Sequence, residues 1–153
     1  MVREVLFVCT SNTCRSPMAE AFARQWLQRH GMLPAYTVRS RALTEEFDPE
    51  YSPASEYAVD CLRHEYSLDI SSHRSKLLCH ADVESAFAII GVTARHHNIL
   101  ILNYPLSRGK LLRFSRDVED PWRQEKAKYL RCARELYQLV PEVMERITSS
   151  QFR

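Results

Sequence analysis

No apolar run in this 153-residue chain approaches the roughly 20 residues needed to cross a bilayer. Met1-Val2-Arg3-Glu4 leads into only four apolar residues before Cys9, too few for the core of a secretory leader. A soluble, cytoplasmic protein with no membrane partner is therefore expected. Charge of one sign is not in excess either. The 21 Lys and Arg face 19 Asp and Glu, a net charge of +2, which gives nucleic acid little to bind. The one weak basic cluster, Arg108 to Arg116, is read as a solvated loop and strand edge in preference to a docking patch. Cysteines number five, an odd count without framework spacing, which suits a reducing compartment. Cys61 with His64, or Cys79 with His80, could begin a metal-ligand pair, but no regular second pair follows, so neither a metal nor another cofactor is expected. Internal repeats and low-complexity linkers are missing as well. The length then fits one domain over residues 1–153, large enough to bury a sizeable core.

What is present is an alternation of strand and helix patterns. Val5-Leu6-Phe7-Val8 is a continuous apolar run of the kind buried on both faces of a sheet. Met18, Ala21, Phe22, Gln25 and Trp26 then recur at helical spacing, with Gly31 after His30 as the stop. Tyr36 to Ser40 forms a second strand pattern. Ser52-Pro53 has the form of a cap and first helical residue, opening a helix whose inner face would carry Ala54, Tyr57, Ala58, Cys61 and Leu62. Ala86 to Val92 is the strongest strand and should be central. Asn98 to Leu102 is short and apolar, with helix preferred, and Leu111 to Phe114 is a weak edge strand. A last helix after Pro121 would bury Ala127, Leu130, Ala133, Leu136, Val140, Val143 and Ile147, with a kink at Pro141. Such alternation predicts an α/β fold with a doubly wound parallel sheet and right-handed crossovers. Ligands in such sheets bind beyond the carboxyl ends of the strands.

That place is occupied by Val8-Cys9-Thr10-Ser11-Asn12-Thr13-Cys14-Arg15-Ser16-Pro17. Cys9 and Arg15 stand six apart, the C-x5-R spacing of an anion loop. A short loop running from a strand into a helix lets its N–H groups converge, and the helix N-terminus adds partial positive charge. A tetrahedral oxyanion fits there, held by the loop residues Thr10, Ser11, Asn12, Thr13, Cys14 and Ser16. The same field favours the thiolate of Cys9, making it a candidate nucleophile toward phosphorus. Arg15, planar and forked, can grip two phosphoryl oxygens and follow them into a trigonal-bipyramidal transition state. Ser16 can donate a hydrogen bond to the sulfur. Asn12 tolerates the positive φ that a turn around phosphate demands, and Pro17 suits the first helical turn. Taken singly, Cys9 would be a core cysteine at a strand end. The five residues together point to catalysis.

Expelling an alkoxide or phenoxide from phosphorus also needs a proton donor. Asp117, Glu119 and Asp120 are the candidates in Arg116-Asp117-Val118-Glu119-Asp120-Pro121-Trp122. Asp120 is preferred because Pro121 stiffens the backbone after it and Trp122 offers an aromatic wall for a flat substrate group.

The anion loop, Ser71-Ser72-His73-Arg74-Ser75 and Glu119-Asp120-Pro121-Trp122 together resemble the low-molecular-weight protein tyrosine phosphatases over essentially the whole chain. The resemblance implies a four-stranded parallel sheet in the order 2-1-3-4 with helices on both faces. It further implies a cysteinyl-phosphate on Cys9, phosphate binding by Arg15, acid then base catalysis by Asp120, and a phosphorylated protein as substrate. A supporting hydrogen-bond network of Asn12, Ser16, Ser40 and His73 is implied in the same way. A monomer or weak homodimer is expected.

Three positions depart from the family pattern. Ser11 stands where glycine is usual, and Trp122 replaces tyrosine or phenylalanine. Thr13 replaces an aliphatic residue and is similar to the threonine of the bacterial protein-arginine phosphatases of the same family. Phosphotyrosine and phosphoarginine thus both remain as substrates. Two alternatives stand beside a phosphatase: a thiol-coupled arsenate reductase, which would need two further relay cysteines where Gly91-Val92-Thr93 has none, and a non-catalytic phosphate-binding module, against which the joint presence of Cys9, Arg15 and Asp120 argues. Cys14, in the same tight loop as Cys9, is a candidate redox partner.

Overall fold

The computed structural model describes residues 1–152. Its strands are β1 (Arg3–Cys9), β2 (Tyr36–Ala42), β3 (Ala88–Gly91) and β4 (Leu111–Arg113), all parallel, in the order β2-β1-β3-β4. The helices are α1 (Arg15–Arg29), α2 (Glu56–Tyr66), α3 (His80–Ser85), α4 (Ala94–Asn103) and α5 (Lys126–Thr148), with a 3-10 segment at Pro105–Lys110. This is the doubly wound arrangement that the alternating pattern predicts.

The two-residue period of β1 divides the core. Val5, Phe7 and Cys9 face a large cluster shared with α1, α2 and α5, whereas Leu6 and Val8 face a smaller one with Val83 of α3 and Leu100 of α4. Helices therefore cover both faces. Phe7, Leu6, Ile89 and Ile90 are fully buried, each contributing about 2 kcal/mol of apolar burial. At the end of β3 the backbone of α4 comes very close: a Cβ added to Gly91 would lie 2.7 Å from the His97 nitrogen. Only glycine leaves that room, and the close approach brings the first turn of α4 to the carboxyl edge of the sheet.

Several boundaries differ from the sequence expectation. Ser52-Pro53 does not open α2, because Pro53 pairs with Arg74 in an antiparallel bridge and the Ser52 N–H donates to Ser75 Oγ at 3.0 Å. Ser55 takes the cap position instead, and Tyr57 turns outward, 42% exposed, its ring edge-on to Tyr129. The final helix begins at Lys126, later than Pro121 suggested. Between them the chain is wound into a turn, in which Trp122 N–H donates to Asp120 Oδ1, Gln124 N–H donates to the Pro121 carbonyl, and Arg123 has φ 60°. Ala127 is consequently exposed, Leu130 only half-buried, and the inner face gains Tyr129, Cys132, Leu139 and Met144. α5 runs through Pro141 as one helix. The central strand is shorter than Ala86 to Val92, since Ala86 ends α3, a helix the sequence pattern did not announce. β2 runs two residues past Ser40.

Candidate active site

The chain leaves β1 at Cys9, turns through Asn12 at φ 60°, and enters α1 at Arg15 with Cys14 in the cap position. Four carbonyls of this turn are tied away from its centre. The Cys9 oxygen accepts from Leu43 N–H, the Thr10 oxygen from Leu43 and Thr44 N–H, the Asn12 oxygen from His73 Nε2 at 2.7 Å, and the Thr13 oxygen from Ser55 N–H at 2.7 Å. In a trans peptide the N–H points opposite to the C=O. Fixing those carbonyls outward therefore turns the N–H groups of Thr10, Ser11, Thr13 and Cys14 the other way, toward a common concavity above Cys9.

Beneath the loop the Asn12 side chain, fully buried, is the hub of a polar network. Its Nδ2 donates to Ser16 Oγ at 2.8 Å and to Ser40 Oγ at 2.9 Å, and its Oδ1 accepts from Lys76 N–H at 3.0 Å. Ser40 Oγ in turn donates a hydrogen bond to Glu20 Oε1 at 2.6 Å. Because Ser16 Oγ already accepts from Asn12, its proton is free for Cys9 Sγ, 3.0 Å away. Asn12, Ser16, Ser40 and His73 are thus brought together, with Glu20 as a member that the sequence did not reveal.

A cavity of about 690 Å³ opens over the loop, with Cys9, Thr10, Ser11, Thr13, Cys14 and Arg15 at its base. Arg15 is buried, its Nη1 donating to the Val118 carbonyl at 3.0 Å and its Nη2 lying 3.4 Å from Asp120 Oδ2. Of the three candidate acids, Asp120 alone lines this cavity. Asp117 Oδ1 accepts from Ala94 N–H at 2.8 Å and so serves the first turn of α4, while Asp120 is half-exposed and lines the cavity with Trp122. Phe47 stands edge-on to Trp122 at 5.6 Å, and the Arg123 guanidinium lies 4.4 Å from the centre of the indole. Across the cavity, Thr13 Oγ1 donates to Asp48 Oδ2 at 3.3 Å.

Phe47, Asp48 and His96 were not identified from the sequence. The first two lie in the irregular segment after β2, where no spacing rule applies. His96 could have been found through Thr93-Ala94-Arg95-His96, because the Thr93 hydroxyl caps α4 by accepting the His96 N–H. Burial, with repulsion from Arg15 and Arg95, lowers the His96 ring to about 4, so it is neutral near pH 7. Cys14 moves oppositely: its hydrogen bond to Cys132 and its burial push the thiol well above the usual range. Among the described residues, no three His, Cys, Asp or Glu side chains form a group that could hold a metal ion.

A thiol at the carboxyl end of a central strand, beneath an oxyanion cradle and facing a carboxylate, has the layout of a cysteine-dependent phosphatase. Comparison with other proteins narrows the class. The family model described as low molecular weight phosphotyrosine protein phosphatase matches residues 4–152, and the chain belongs to that family. A protein-arginine-phosphatase of Geobacillus stearothermophilus is 29% identical over 158 residues, covering 99% of this chain and 100% of the relative. The probable low molecular weight protein-tyrosine-phosphatase EpsP of Ralstonia nicotianae is 30% identical over 129 residues, 82% of each chain. A crystal structure of the low molecular weight protein tyrosine phosphatase from T. tengcongensis has a TM-score of 0.85 and 35% identity, covering 94% of this chain and 99% of that one. The protein is therefore a hydrolase of the protein phosphatase class, and these relatives favour neither arsenate reduction nor simple phosphate binding. Among the described residues no helix is long and apolar enough to cross a membrane.

Proposed function

We propose that this phosphatase removes phosphate from phosphoarginine in proteins, with a lower activity toward phosphotyrosine. The observation that carries the reading is the Thr13–Asp48 pair, which sets a hydroxyl and a carboxylate in the wall of the cavity that would receive the leaving group. A guanidinium is cationic and rich in N–H donors, so it gains from both groups. A phenyl ring uses neither, although it still finds the Trp122 and Phe47 faces. The arginine-phosphatase relative supports the same reading.

In the proposed reaction the Cys9 thiolate attacks phosphorus while the loop N–H groups and Arg15 take up the charge of the equatorial oxygens. Asp120 protonates the departing nitrogen or phenolic oxygen, and the P–N or P–O bond breaks as the S–P bond forms. Asp120, now a carboxylate, then removes a proton from water as that water attacks the cysteinyl-phosphate. Ser16 stabilises the thiolate as it leaves. Thr10, Ser11, Thr13 and Cys14 bind substrate through the loop, whereas Asn12, expected from the sequence to bind it as well, is fully buried beneath the loop and acts with Ser40 and His73 as its support. We place this activity in a reducing cytoplasm, on a phosphorylated protein partner, with the enzyme a monomer or weak homodimer. Cys14 is the thiol that would capture an oxidised Cys9 as a reversible disulfide.

The test compares kcat/KM for matched phosphoarginine and phosphotyrosine peptides, with Cys9→Ser as the inactive reference. A higher value for phosphoarginine supports the proposal. A higher value for phosphotyrosine overturns the substrate assignment and leaves the phosphatase class intact.

A further inference from the structure

A buried histidine lies behind the loop, outside the reaction just described. His96 is 4% exposed, and both of its ring nitrogens are occupied: Nδ1 is 2.9 Å from Thr93 Oγ1, and Nε2 is 3.0 Å from Thr10 Oγ1. Thr10 follows Cys9 directly and lines the cavity floor. One assignment of the protons leaves no donor in this chain unpaired. Thr93 Oγ1 already accepts the His96 backbone N–H at 3.2 Å, and among the described residues its own proton has one acceptor, the imidazole Nδ1. A neutral ring that accepts at Nδ1 carries its hydrogen on Nε2. That hydrogen is donated to Thr10 Oγ1. In this assignment the Thr10 hydroxyl, satisfied as an acceptor, is left with its own proton to give elsewhere, and Thr10 lines the cavity above Cys9.

We propose that His96 is a positioning residue of the phosphatase site, fixing through Thr10 a hydroxyl donor aimed at the phosphoryl group bound above Cys9. The proposal rests on the reading of Cys9 as the nucleophile. Without the imidazole, Thr10 would be free to turn its hydroxyl toward other acceptors, and each substrate binding event would include the entropy of reorienting it. With the imidazole in place the donor is aligned before substrate arrives, as electrostatic stabilisation requires. The ring must remain neutral, because a protonated Nδ1 would face the Thr93 hydroxyl as a second donor. The charged groups around it are Arg15 and Arg95, which oppose protonation, and Asp117, which favours it; burial outweighs Asp117.

Two experiments test the chain of donors. Nitrogen-15 NMR of histidine-labelled protein reads the tautomer directly and does not depend on activity. The expected spectrum has His96 as the Nε2–H tautomer, without titration between pH 5.5 and 8. An Nδ1–H tautomer, or protonation in that interval, overturns the proposal. The second experiment is a double-mutant cycle with Thr10→Val and His96→Leu, reading kcat/KM on a phosphorylated peptide and the inhibition constant of inorganic phosphate. Each single change should lower kcat/KM by roughly tenfold and weaken phosphate inhibition, and the double variant should lose no more than the worse single one. His96→Gln, which restores a donor near Thr10, should recover part of the loss. Additive losses, or Thr10→Val with wild-type kinetics, refute the positioning role. Thr10→Val is isosteric and keeps the test informative should His96→Leu fail to fold. A wild-type protein without phosphatase activity would instead refute the reading of Cys9, so the two failures are distinguishable.

Discussion

The hydroxyl of Thr13 donates to Asp48 Oδ2 at 3.3 Å, tying the lip of the anion loop to a segment 35 residues further along the chain. This contact is the sharpest available handle on substrate choice. Thr13→Ile removes the hydroxyl and adds apolar area, and it should shift the ratio of kcat/KM values toward phosphotyrosine by about tenfold. Asp48→Asn keeps the shape but removes the charge, and should lower activity on phosphoarginine by about fivefold while leaving phosphotyrosine nearly unchanged. Paired peptide assays check both; a ratio that stays fixed in both variants refutes the role of this pair.

Asp120→Asn should act through the leaving group. With aryl phosphates whose phenols are poor leaving groups, kcat should fall by about a hundredfold or more, because those phenols need a proton in the transition state. With good leaving groups such as dinitrophenol the loss should be small. Equal losses across the series would exclude Asp120 as the acid and return the search to Glu119.

Acid stability should carry the signature of His96. Its pKa falls from 6.5 in the unfolded chain to about 4 in the fold, so between these values the unfolded state binds more protons. Stability is then complete above about pH 6.5 and declines as the pH falls toward 4, by about 3 kcal/mol in total for this one group. Urea unfolding measured at intervals from pH 7 to 4 should show that slope. In His96→Asn, where nothing titrates at this position, the slope should flatten.

The redox behaviour of the loop should depend on a residue outside it. The hydrogen bond with Cys132 on α5 and burial both hold the Cys14 thiol protonated, which should slow any attack on an oxidised Cys9. Under mild peroxide, mass spectrometry should find a Cys9–Cys14 disulfide that dithiol reverses, and Cys132→Ala should raise its rate of formation. Irreversible oxidation of Cys9 with Cys14 still free would deny Cys14 a protective role.

Much of this site could be read from the sequence because it is local. Cys9 through Pro17 carries thiol, turn, arginine and helix start in one unbroken stretch, and Val5 to Val8 announces the buried strand that must precede it. What escaped depends on distance along the chain. Phe47 and Asp48 reach the cavity from an irregular segment, and His96 meets Thr10 across 86 residues. Ser52-Pro53 shows the converse, a sound local helix signal overruled when Arg74 offers its backbone as a partner. Among Asp117, Glu119 and Asp120, the preference for Asp120 followed from Pro121 and Trp122. The observation that draws Asp117 towards α4 instead, its bond to Ala94, lies in an element more than twenty residues away.

The outward ties of the Cys9, Thr10, Asn12 and Thr13 carbonyls have a further consequence for how phosphate is received. The loop loses its conformational freedom when the chain folds, not when the anion arrives. Capture by the loop itself then resembles a key entering a rigid lock. Association should accordingly be limited by the displacement of water and by diffusion, and crystals grown without ligand should accept oxyanions by soaking without cracking.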